Sequence, residues 1–364
     1  HASIDPESCK NYFDYIIRGE GEEVLIQLLN DLNQGKKNNI QGVSYKRNNE
    51  FVNGGYAPRL KDLDNIGFPD RSDLDMTRYT GAVPQPEIDG NYGSIISTRG
   101  CPHQCTFCVN KEMWKQKSFT RSTKKVVDEI EMMRDKYNVK YVWFQDAEMT
   151  IHKKFLKDLC KELIKRDTGL YLYTMARVTD MQDIEIIKLM KKAGFIQIAL
   201  GVESGNTEML KKIKKSITVP QVKKAFKNIY NAGIFPTSFY IVGWPSETKE
   251  TLQDTIDLAK DTHALRIRMG NLYPYKGTEI RKEVDEKKLW VDEKYKDMQY
   301  GDHETPVVKN SANITKKLVD NVVDNIYCSA KFIKKLKQFT ENEKDPILKK
   351  TYTKYQNELK TKKY

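Results

Sequence analysis

From about residue 93 onward, short apolar runs alternate with longer amphipathic stretches, and this alternation limits the folds open to the chain. The apolar runs have the length of strands, and the stretches between them carry apolar residues at helical spacing. Strands that alternate with helices predict a parallel α/β sheet. Six repeats are too few for an eight-stranded barrel, so we expect an open, partial barrel. The predicted strands span residues 94–98, 141–144, 170–174, 196–201, 238–242 and 267–272.

The segments on either side of this repeat have a different composition. Residues 1–35 hold one short apolar run and one amphipathic helix, which is too little to bury a core alone. Residues 36–90 are rich in Gly, Pro, Asn and Asp, and this composition predicts a linker with a short hairpin near residues 43–52. The repeat itself occupies residues 91–285. Residues 286–364 are polar and predict a mainly helical region, with one long, bent helix over 314–339.

The bulk composition argues against a membrane span and gives only weak support for nucleic-acid binding. The 364-residue chain has a mean hydropathy of -0.68, and no window approaches the roughly 18 apolar residues of a spanning helix. Its net charge of +12 comes mainly from Lys residues spread along the helices, which indicates a solvated surface. The chain begins with His1 inside a folded pattern and shows no signal peptide, so we expect a piece of a longer protein.

Three of the six cysteines lie within eight residues, directly after the first predicted strand. Cys101, Cys105 and Cys108 are separated by three and then two residues. A 4Fe-4S cluster takes four thiolates, so three close cysteines leave one iron open to an outside ligand. Catalytic metal sites keep such an open position. The spacing therefore predicts a reactive iron–sulfur site.

The other three cysteines, Cys9, Cys160 and Cys328, are scattered along the chain and are interpreted as core or unreactive thiols. This usage differs from a secreted disulfide framework and indicates a reducing, cytoplasmic setting. Two alternative metal sites are possible at the three clustered cysteines. One is a zinc site, which His103 would have to complete. The other is a ferredoxin-like electron carrier, for which Cys160 or Cys328 would have to supply the fourth thiolate.

The loop from Thr98 to Cys108 resembles the signature of the radical S-adenosylmethionine (SAM) superfamily. The resemblance implies a TIM-like core whose open iron chelates the amino and carboxylate groups of SAM. An electron from the cluster, supplied by a reductant such as flavodoxin or ferredoxin, then cleaves the sulfonium bond and releases a 5'-deoxyadenosyl radical. In such enzymes the cofactor carries the chemistry and the protein positions it. Phe107, just before the third cysteine, is a candidate SAM contact.

Polar residues follow the second and third strands and are the next candidates. Gln145 and Asp146 can accept from an ammonium group, and the resemblance places the SAM amino group there. The alternative for Asp146 is a helix N-cap. Arg177 can pair bidentately with a carboxylate, which the resemblance identifies as that of SAM. The alternative for Arg177 is a structural ion pair.

The fourth and fifth strands end in family-like runs. Glu203 closes a buried strand and needs a partner there. With Ser204 it belongs to a Gly-Val-Glu-Ser-Gly run that resembles the family's ribose and methionyl contact. Gly243 allows a ligand to approach the backbone closely, and the resemblance places adenine beside it. Glu247 and Thr248 are expected to cap the next helix.

The flanking segments resemble the branch of the superfamily that carries a cobalamin-binding, Rossmann-like domain. Residues 14–22 look like the end of that domain, residues 57–70 like the linker after it, and Asn325, Ile326 and Tyr327 like a tail motif. The branch includes the anaerobic porphyrin-ring cyclase, hopanoid-modifying enzymes and methyltransferases acting on carbon or phosphorus. The Asp-x-His-x-x-Gly ligand loop is absent from this sequence. We therefore expect a cluster and SAM in this chain, and cobalamin in the full-length parent.

The sequence is compatible with three functions. The leading one is reductive SAM cleavage for cobalamin-dependent methyl transfer or related C–H chemistry in the parent, on a small-molecule or lipid-like substrate. The first alternative is a methylthiotransferase that acts on tRNA or a ribosomal protein, although residues 290–364 show no pattern of a small RNA-binding barrel. The second is a non-enzymatic iron–sulfur electron carrier or sensor.

Overall fold

The computed structural model describes residues 1–36, 39–48, 50–81, 86, 88–297 and 303–361. These residues fold into two compact units, each made of several chain segments. Unit 1 comprises His1–Gly67, Arg99–Arg121 and Pro274–Lys287, and unit 2 comprises Phe68–Thr98, Ser122–Tyr273 and Lys288–Tyr364.

The described residues form strands and helices with the following bounds. The strands are β1 (Tyr15–Ile17), β2 (Val43–Arg47), β3 (Glu50–Val52), β4 (Asn91–Ile95), β5 (Thr98–Arg99), β6 (Phe119–Thr120), β7 (Val139–Phe144), β8 (Tyr171–Ala176), β9 (Phe195–Glu203), β10 (Phe235–Val242) and β11 (Arg266–Asn271). The helices are α1 (Glu22–Asn33), α2 (Asn110–Trp114), α3 (Thr123–Tyr137), α4 (Lys153–Arg166), α5 (Ile184–Lys192), α6 (Thr207–Lys212), α7 (Val219–Asn231), α8 (Lys249–Asp261), α9 (Glu279–Glu286), α10 (Lys316–Tyr327), α11 (Ala330–Asn342) and α12 (Pro346–Thr361).

A six-stranded parallel sheet forms the core of unit 2, which confirms the predicted α/β partial barrel. Its strands lie in chain order, from β4 at one edge through β7, β8, β9 and β10 to β11 at the other. Connections through helices are what parallel neighbours require. The carboxyl ends of all six strands therefore face the same edge of the sheet, where ligands of such folds bind.

The first predicted strand was placed too far along the chain. The structure ends β4 at Ile95, whereas residues 94–98 were predicted. The reason is that the backbone N–H groups of Ser97 and Thr98 donate to the side chain of Asp146 and do not extend the pairing of β4 with β7. Thr98 belongs to the separate strand β5. These hydrogen bonds attach Ser97 and Thr98 to Asp146, just after the end of β7.

The helices of unit 2 begin and end at residues of the expected chemistry. Thr218 caps α7 and forms a capping box with Gln221. The face of α7 that carries Val222, Phe226 and Ile229 is buried. Gly194 follows α5 with a φ of 98°, a left-handed conformation that glycine adopts at little cost.

The C-terminal region is helical, as predicted, but the expected long helix is divided in two. The hydroxyl of Ser329 accepts from the backbone N–H of Phe332 and starts α11 separately from α10. Helix α12 buries Leu348, Tyr352 and Tyr355, so the charged last segment packs through one apolar face. Within the described residues, no helix is long and apolar enough to cross a membrane.

Unit 1 contains a three-stranded antiparallel sheet in the order β1-β2-β3. Strands β2 and β3 form the predicted hairpin, and β1 pairs with β2. Val24 and Leu28 of α1 pack with Val43 and Ala57 in one small core, which crosses the predicted boundary at residue 35. The other side of α1 leaves four large apolar side chains exposed, namely Leu25, Ile26, Leu29 and Leu32.

Candidate functional site

The three clustered cysteines lie in an irregular loop of unit 1. Cys105 is buried, Cys101 and Cys108 are half-buried, and none of the three is in a disulfide. The backbone N–H of Cys108 donates to the carbonyl of Cys105 at 3.2 Å, which forms a tight turn between the second and third cysteines. Gly100 opens the loop with a φ of 115°, and a side chain there would collide with the carbonyl of Lys117.

Unit 1 also contains a buried charge network next to this loop, which no sequence pattern predicted. The carboxylate of Glu20 accepts from Arg59 at 2.6 Å and from Arg99 at 3.1 Å. Arg59 also donates to the carbonyls of Trp114 and Arg99, on either side of the cysteines in the chain. This network therefore fixes the entry to the cysteine loop and the helix that follows it.

The donor chemistry of the loop fits an iron–sulfur cluster. Across the part of the chain that the structure describes, no three His, Cys, Asp or Glu side chains are arranged as ligands of one metal ion. A 4Fe-4S cluster places one thiolate on each ligated iron, so its cysteines need not meet at a single ion. Cys160 is fully buried in α4, and burial raises its thiol pKa to about 12. It is thus a poor fourth thiolate.

Asp146, at the end of β7, has one oxygen in use and one without a partner. Its Oδ1 accepts from the backbone and hydroxyl of Ser97, at 3.0 and 2.8 Å, and from the backbone and hydroxyl of Thr98. Burial raises the pKa of Asp146 to about 6. Its Oδ2 is buried and has no hydrogen-bond partner among the described residues. The alternative role as a helix cap is wrong, because α4 begins after His152.

Glu203, at the end of β9, has the partner that a buried charge requires. Lys215 lies 2.8 Å from its Oε1, and both side chains are almost fully buried. Glu203 has a φ of 72°, a strained backbone conformation for a residue with a side chain. A Cβ on Gly201 would collide with the Glu203 carboxylate, so that glycine makes room for the pair. Lys215 was missed because it lies 12 residues downstream, after α6.

Arg177, after β8, is buried and donates to the carbonyl of Lys215. The structure thus brings Arg177, after β8, and Glu203, at the end of β9, to the same residue, Lys215, which follows α6.

A second buried carboxyl group at this edge was also missed. The hydroxyl of Thr150 lies 2.7 Å from Glu148 Oε1 and 2.8 Å from Asp180 Oδ2. A hydroxyl has a single proton to donate, so one of the two carboxyl groups must carry a proton for both bonds to form. Burial, with a smaller contribution from the charge of Asp180, raises the pKa of Glu148 to about 7. The raised pKa favours Glu148 as the group that holds this proton.

Four other predicted residues have different surroundings. The Ser204 hydroxyl lies 3.3 Å from that of Thr255 and accepts from the backbone of Asn206, so it is engaged in the turn before α6. The side chain of Gln145 is exposed, and Phe107 is half-buried in unit 1. Gly243 has a φ of 85°.

Of the two residues predicted to cap the next helix, Thr248 does so and Glu247 does not. Thr248 caps α8 in a capping box with Thr251. The carboxylate of Glu247 instead accepts from the backbone N–H groups of Gly243 and Trp244. Burial raises the pKa of Glu247 to about 7, and its Oε1 has no hydrogen-bond partner among the described residues. A carboxylate thus supports the turn at Gly243.

The carboxyl ends of β9, β10 and β11 border a cavity of about 540 Å³ within unit 2. Asn271 donates its amide N–H to the carbonyl of Glu304 at 2.8 Å, which leaves its buried Oδ1 without a partner in the described part of the chain. Buried polar atoms normally have partners, so unpartnered ones at strand ends are places where a ligand is expected. The lining includes Glu203, Phe239, Ile241, Arg268, Gly270, Asn271, His303, Glu304, Lys316 and Asp320.

Comparison with known proteins agrees with this arrangement. Residues 95–259, from β4 to α8, match the family described as the Radical SAM superfamily. They form a radical SAM domain. The anaerobic magnesium-protoporphyrin IX monomethyl ester cyclase of Rubrivivax gelatinosus is 32% identical over 321 residues, which cover 86% of this chain and 56% of the relative. The chain thus spans about half the length of that relative.

Two solved structures share the fold of this radical SAM chain. The cobalamin-dependent SAM radical enzyme OxsB, solved with aqua-cobalamin and SAM bound, superposes with a TM-score of 0.71 at 16% identity, over 99% of this chain and 57% of its own. The radical SAM methyltransferase TsrM of Kitasatospora setae, solved with cobalamin and a 4Fe-4S cluster, gives 0.64 at 20% identity, over 79% and 56%. At these identities the likeness concerns the fold.

Proposed function

We propose that the protein is a radical SAM enzyme that cleaves SAM reductively at a 4Fe-4S cluster. Cys101, Cys105 and Cys108 would hold the cluster and leave its fourth iron open. The observation that carries this proposal is the position of the three thiols, in one loop directly after the first strand of a radical SAM domain. When bound, the cluster supplies the electron that breaks the sulfonium bond of SAM.

The strand ends supply groups that suit the polar parts of SAM. Asp146 Oδ2 is a buried, unpartnered acceptor for an ammonium group. Its other oxygen holds Ser97 and Thr98, so one side chain would bind the ligand and fix the chain that leads to Cys101. Glu203 is held rigidly by Lys215 for the ribose or methionyl part. Phe107, Gln145, Arg177 and Ser204 remain proposed contacts of the same kind.

The adenine of SAM would lie beside Gly243. The left-handed turn at Gly243 is supported by Glu247, and Asn271 Oδ1 lies 3.7 Å from where a Cβ of residue 243 would be. The unpartnered Asn271 oxygen is a suitable acceptor for an amino group. We therefore add Asn271 to the proposed SAM contacts.

For the whole protein we propose cobalamin-dependent methyl transfer or related C–H chemistry on a small molecule. OxsB and TsrM are both cobalamin enzymes by description, and the Rubrivivax relative is a porphyrin cyclase. The exposed apolar side chains of α1 are suited to packing against the rest of a cobalamin-binding domain in the parent. A flavodoxin or ferredoxin would supply the electron.

Anaerobic reconstitution tests the proposed reaction. Protein loaded with iron and sulfide is mixed with SAM and dithionite, and 5'-deoxyadenosine is measured by chromatography. We expect cleavage by the native chain and none by Cys105→Ala. A fully loaded cluster that leaves SAM intact would contradict the proposal.

A further inference from the structure

The charged residues that line the cavity of unit 2 are unevenly paired. Glu203 is neutralised by Lys215, and Glu304 forms an ion pair with Lys316. For Arg268 and Asp320 the described part of the chain provides no ion pair or side-chain hydrogen bond. Arg268 lies on the strand wall, and Asp320 lies on α10. The strand wall of the cavity therefore presents one positive charge, that of Arg268, for which the described residues supply no ion pair.

The surroundings of Arg268 combine this charge with apolar surface. In the sheet, Arg268 is paired with Phe239 of β10, and the next pair on the same face is Ile241 with Gly270. Phe239 and Ile241 are half-buried, and Gly270 contributes no side chain. A planar guanidinium beside an open apolar wall is suited to bidentate contact with a carboxylate or phosphate.

A neighbouring cation increases the demand for an anion. Arg266, two residues earlier on β11, lies on the same face of the strand. Burial, with a further contribution from the charge of Arg268, lowers the pKa of Arg266. The two guanidinium groups thus repel each other, and an anion bound at Arg268 would relieve that repulsion.

We propose that Arg268 binds the carboxylate or phosphate of the substrate, whose apolar part lies against Phe239 and Ile241. This assignment rests on the proposed function, in which the carboxylate of SAM is assigned to the open iron and to Arg177 and is not free for Arg268. The cavity, at about 540 Å³, has the size of a small-molecule site. Asp320 of α10 also lines the cavity and would disfavour a second acidic group nearby.

Direct binding tests the assignment with two probes of one shape. 1-Naphthoate carries a carboxylate, and 1-naphthamide is its uncharged counterpart. Calorimetry on the cluster-loaded protein should show about tenfold tighter binding of the acid, the size of one charge-assisted hydrogen-bond contact. Arg268→Gln should abolish that preference, and Arg268→Lys should retain part of it.

The matched control is Arg134→Gln, which removes the same charge from α3, outside the cavity. It should leave the preference for the acid unchanged. Equal binding of acid and amide by the native protein would overturn the assignment. So would an Arg268→Gln variant that keeps the acid preference.

Formation of 5'-deoxyadenosine without substrate separates this assignment from the proposed function. Arg268→Gln should still bind SAM, because the proposed SAM contacts Glu203 and Asn271 are unchanged. If the variant loses SAM binding, Arg268 serves SAM and the assignment to the substrate is overturned. If the native protein does not cleave SAM, the proposed function fails, whatever the probes show.

Discussion

The two ends of the six-stranded sheet have opposite character. At the amino end, Phe235 of β10 packs against Phe339, Tyr352 and Tyr355 of the last two helices, with ring centroids 5.3–5.9 Å apart. At the carboxyl end, the strands lead into buried charges and unpartnered oxygens. One strand, β10, begins in the first environment and ends in the second, at the left-handed Gly243.

Packing and ligand binding are thus assigned to separate ends of the same strands. The aromatic end gains its free energy from apolar burial, which needs no ligand. The polar end keeps features that cost stability, including the positive φ of Glu203 and the unpartnered oxygens of Asp146, Glu247 and Asn271. Such costs are expected where a ligand will bind.

The largest effects are expected when a phenylalanine of β10 is truncated, either at the aromatic end of the sheet or on the cavity wall. Phe235→Ala should lower the free energy of unfolding by about 3–5 kcal/mol, because a fully buried ring is lost from a packed cluster. Phe239→Ala, in the same strand but half-buried on the cavity wall, should cost clearly less. Urea unfolding measures both variants.

A similar loss of stability for the two variants would show that the ends do not differ as described. The affinity for 1-naphthoate should show the reverse order. In folded protein, Phe239→Ala should weaken binding of 1-naphthoate and Phe235→Ala should not.

The ion pair at the polar end provides the next largest effect. Lys215→Met leaves Glu203 buried without its cation, and should cost about 3 kcal/mol of unfolding free energy. The double variant Glu203→Gln with Lys215→Met should recover much of that loss, since no buried charge remains. A double-mutant cycle from urea unfolding checks this. Additive costs would mean that the two side chains do not interact.

The pH dependence of stability should report the proton on Glu148. Its pKa is about 7 in the folded state, against 4.5 for a free glutamate, so the folded state binds the proton more tightly. The stabilisation is therefore complete below pH 4.5 and is lost as pH rises through 7. Between pH 4.5 and 7 the free energy of unfolding should fall by about 2–3 kcal/mol more for the native protein than for Glu148→Gln.

Unfolding free energies at pH 5 and pH 8 suffice for this test. Equal pH slopes for the native protein and Glu148→Gln would place the shared proton elsewhere. Asp158→Asn, an exposed change on α4, serves as the control and should leave the slope close to native.

The smallest effect is expected for a buried thiol away from the polar end. Cys160→Ala should cost about 1 kcal/mol of stability, because a small apolar group is removed from the core. Its iron content after reconstitution should equal that of the native protein. Loss of iron in this variant would favour the four-thiolate electron carrier.

Much of this architecture was predictable because it depends on local pattern. The strand–helix alternation reflects side-chain periodicity, and the Cys101–Cys108 spacing is visible in the sequence. Lys215, Asp180 and Asn271 were missed because each joins its partner through the tertiary fold. The bond from Asp146 to Ser97 was missed for the same reason, since it displaces the end of β4 by contact between distant residues.

Mössbauer spectroscopy of protein reconstituted with iron-57 shows whether one iron of the cluster lacks a thiolate ligand. Three thiolates should give a 4Fe-4S cluster with one iron distinct from the other three, and the signal of that iron should shift when SAM is added. Four equivalent irons that ignore SAM, or a site occupied by zinc, would contradict the account.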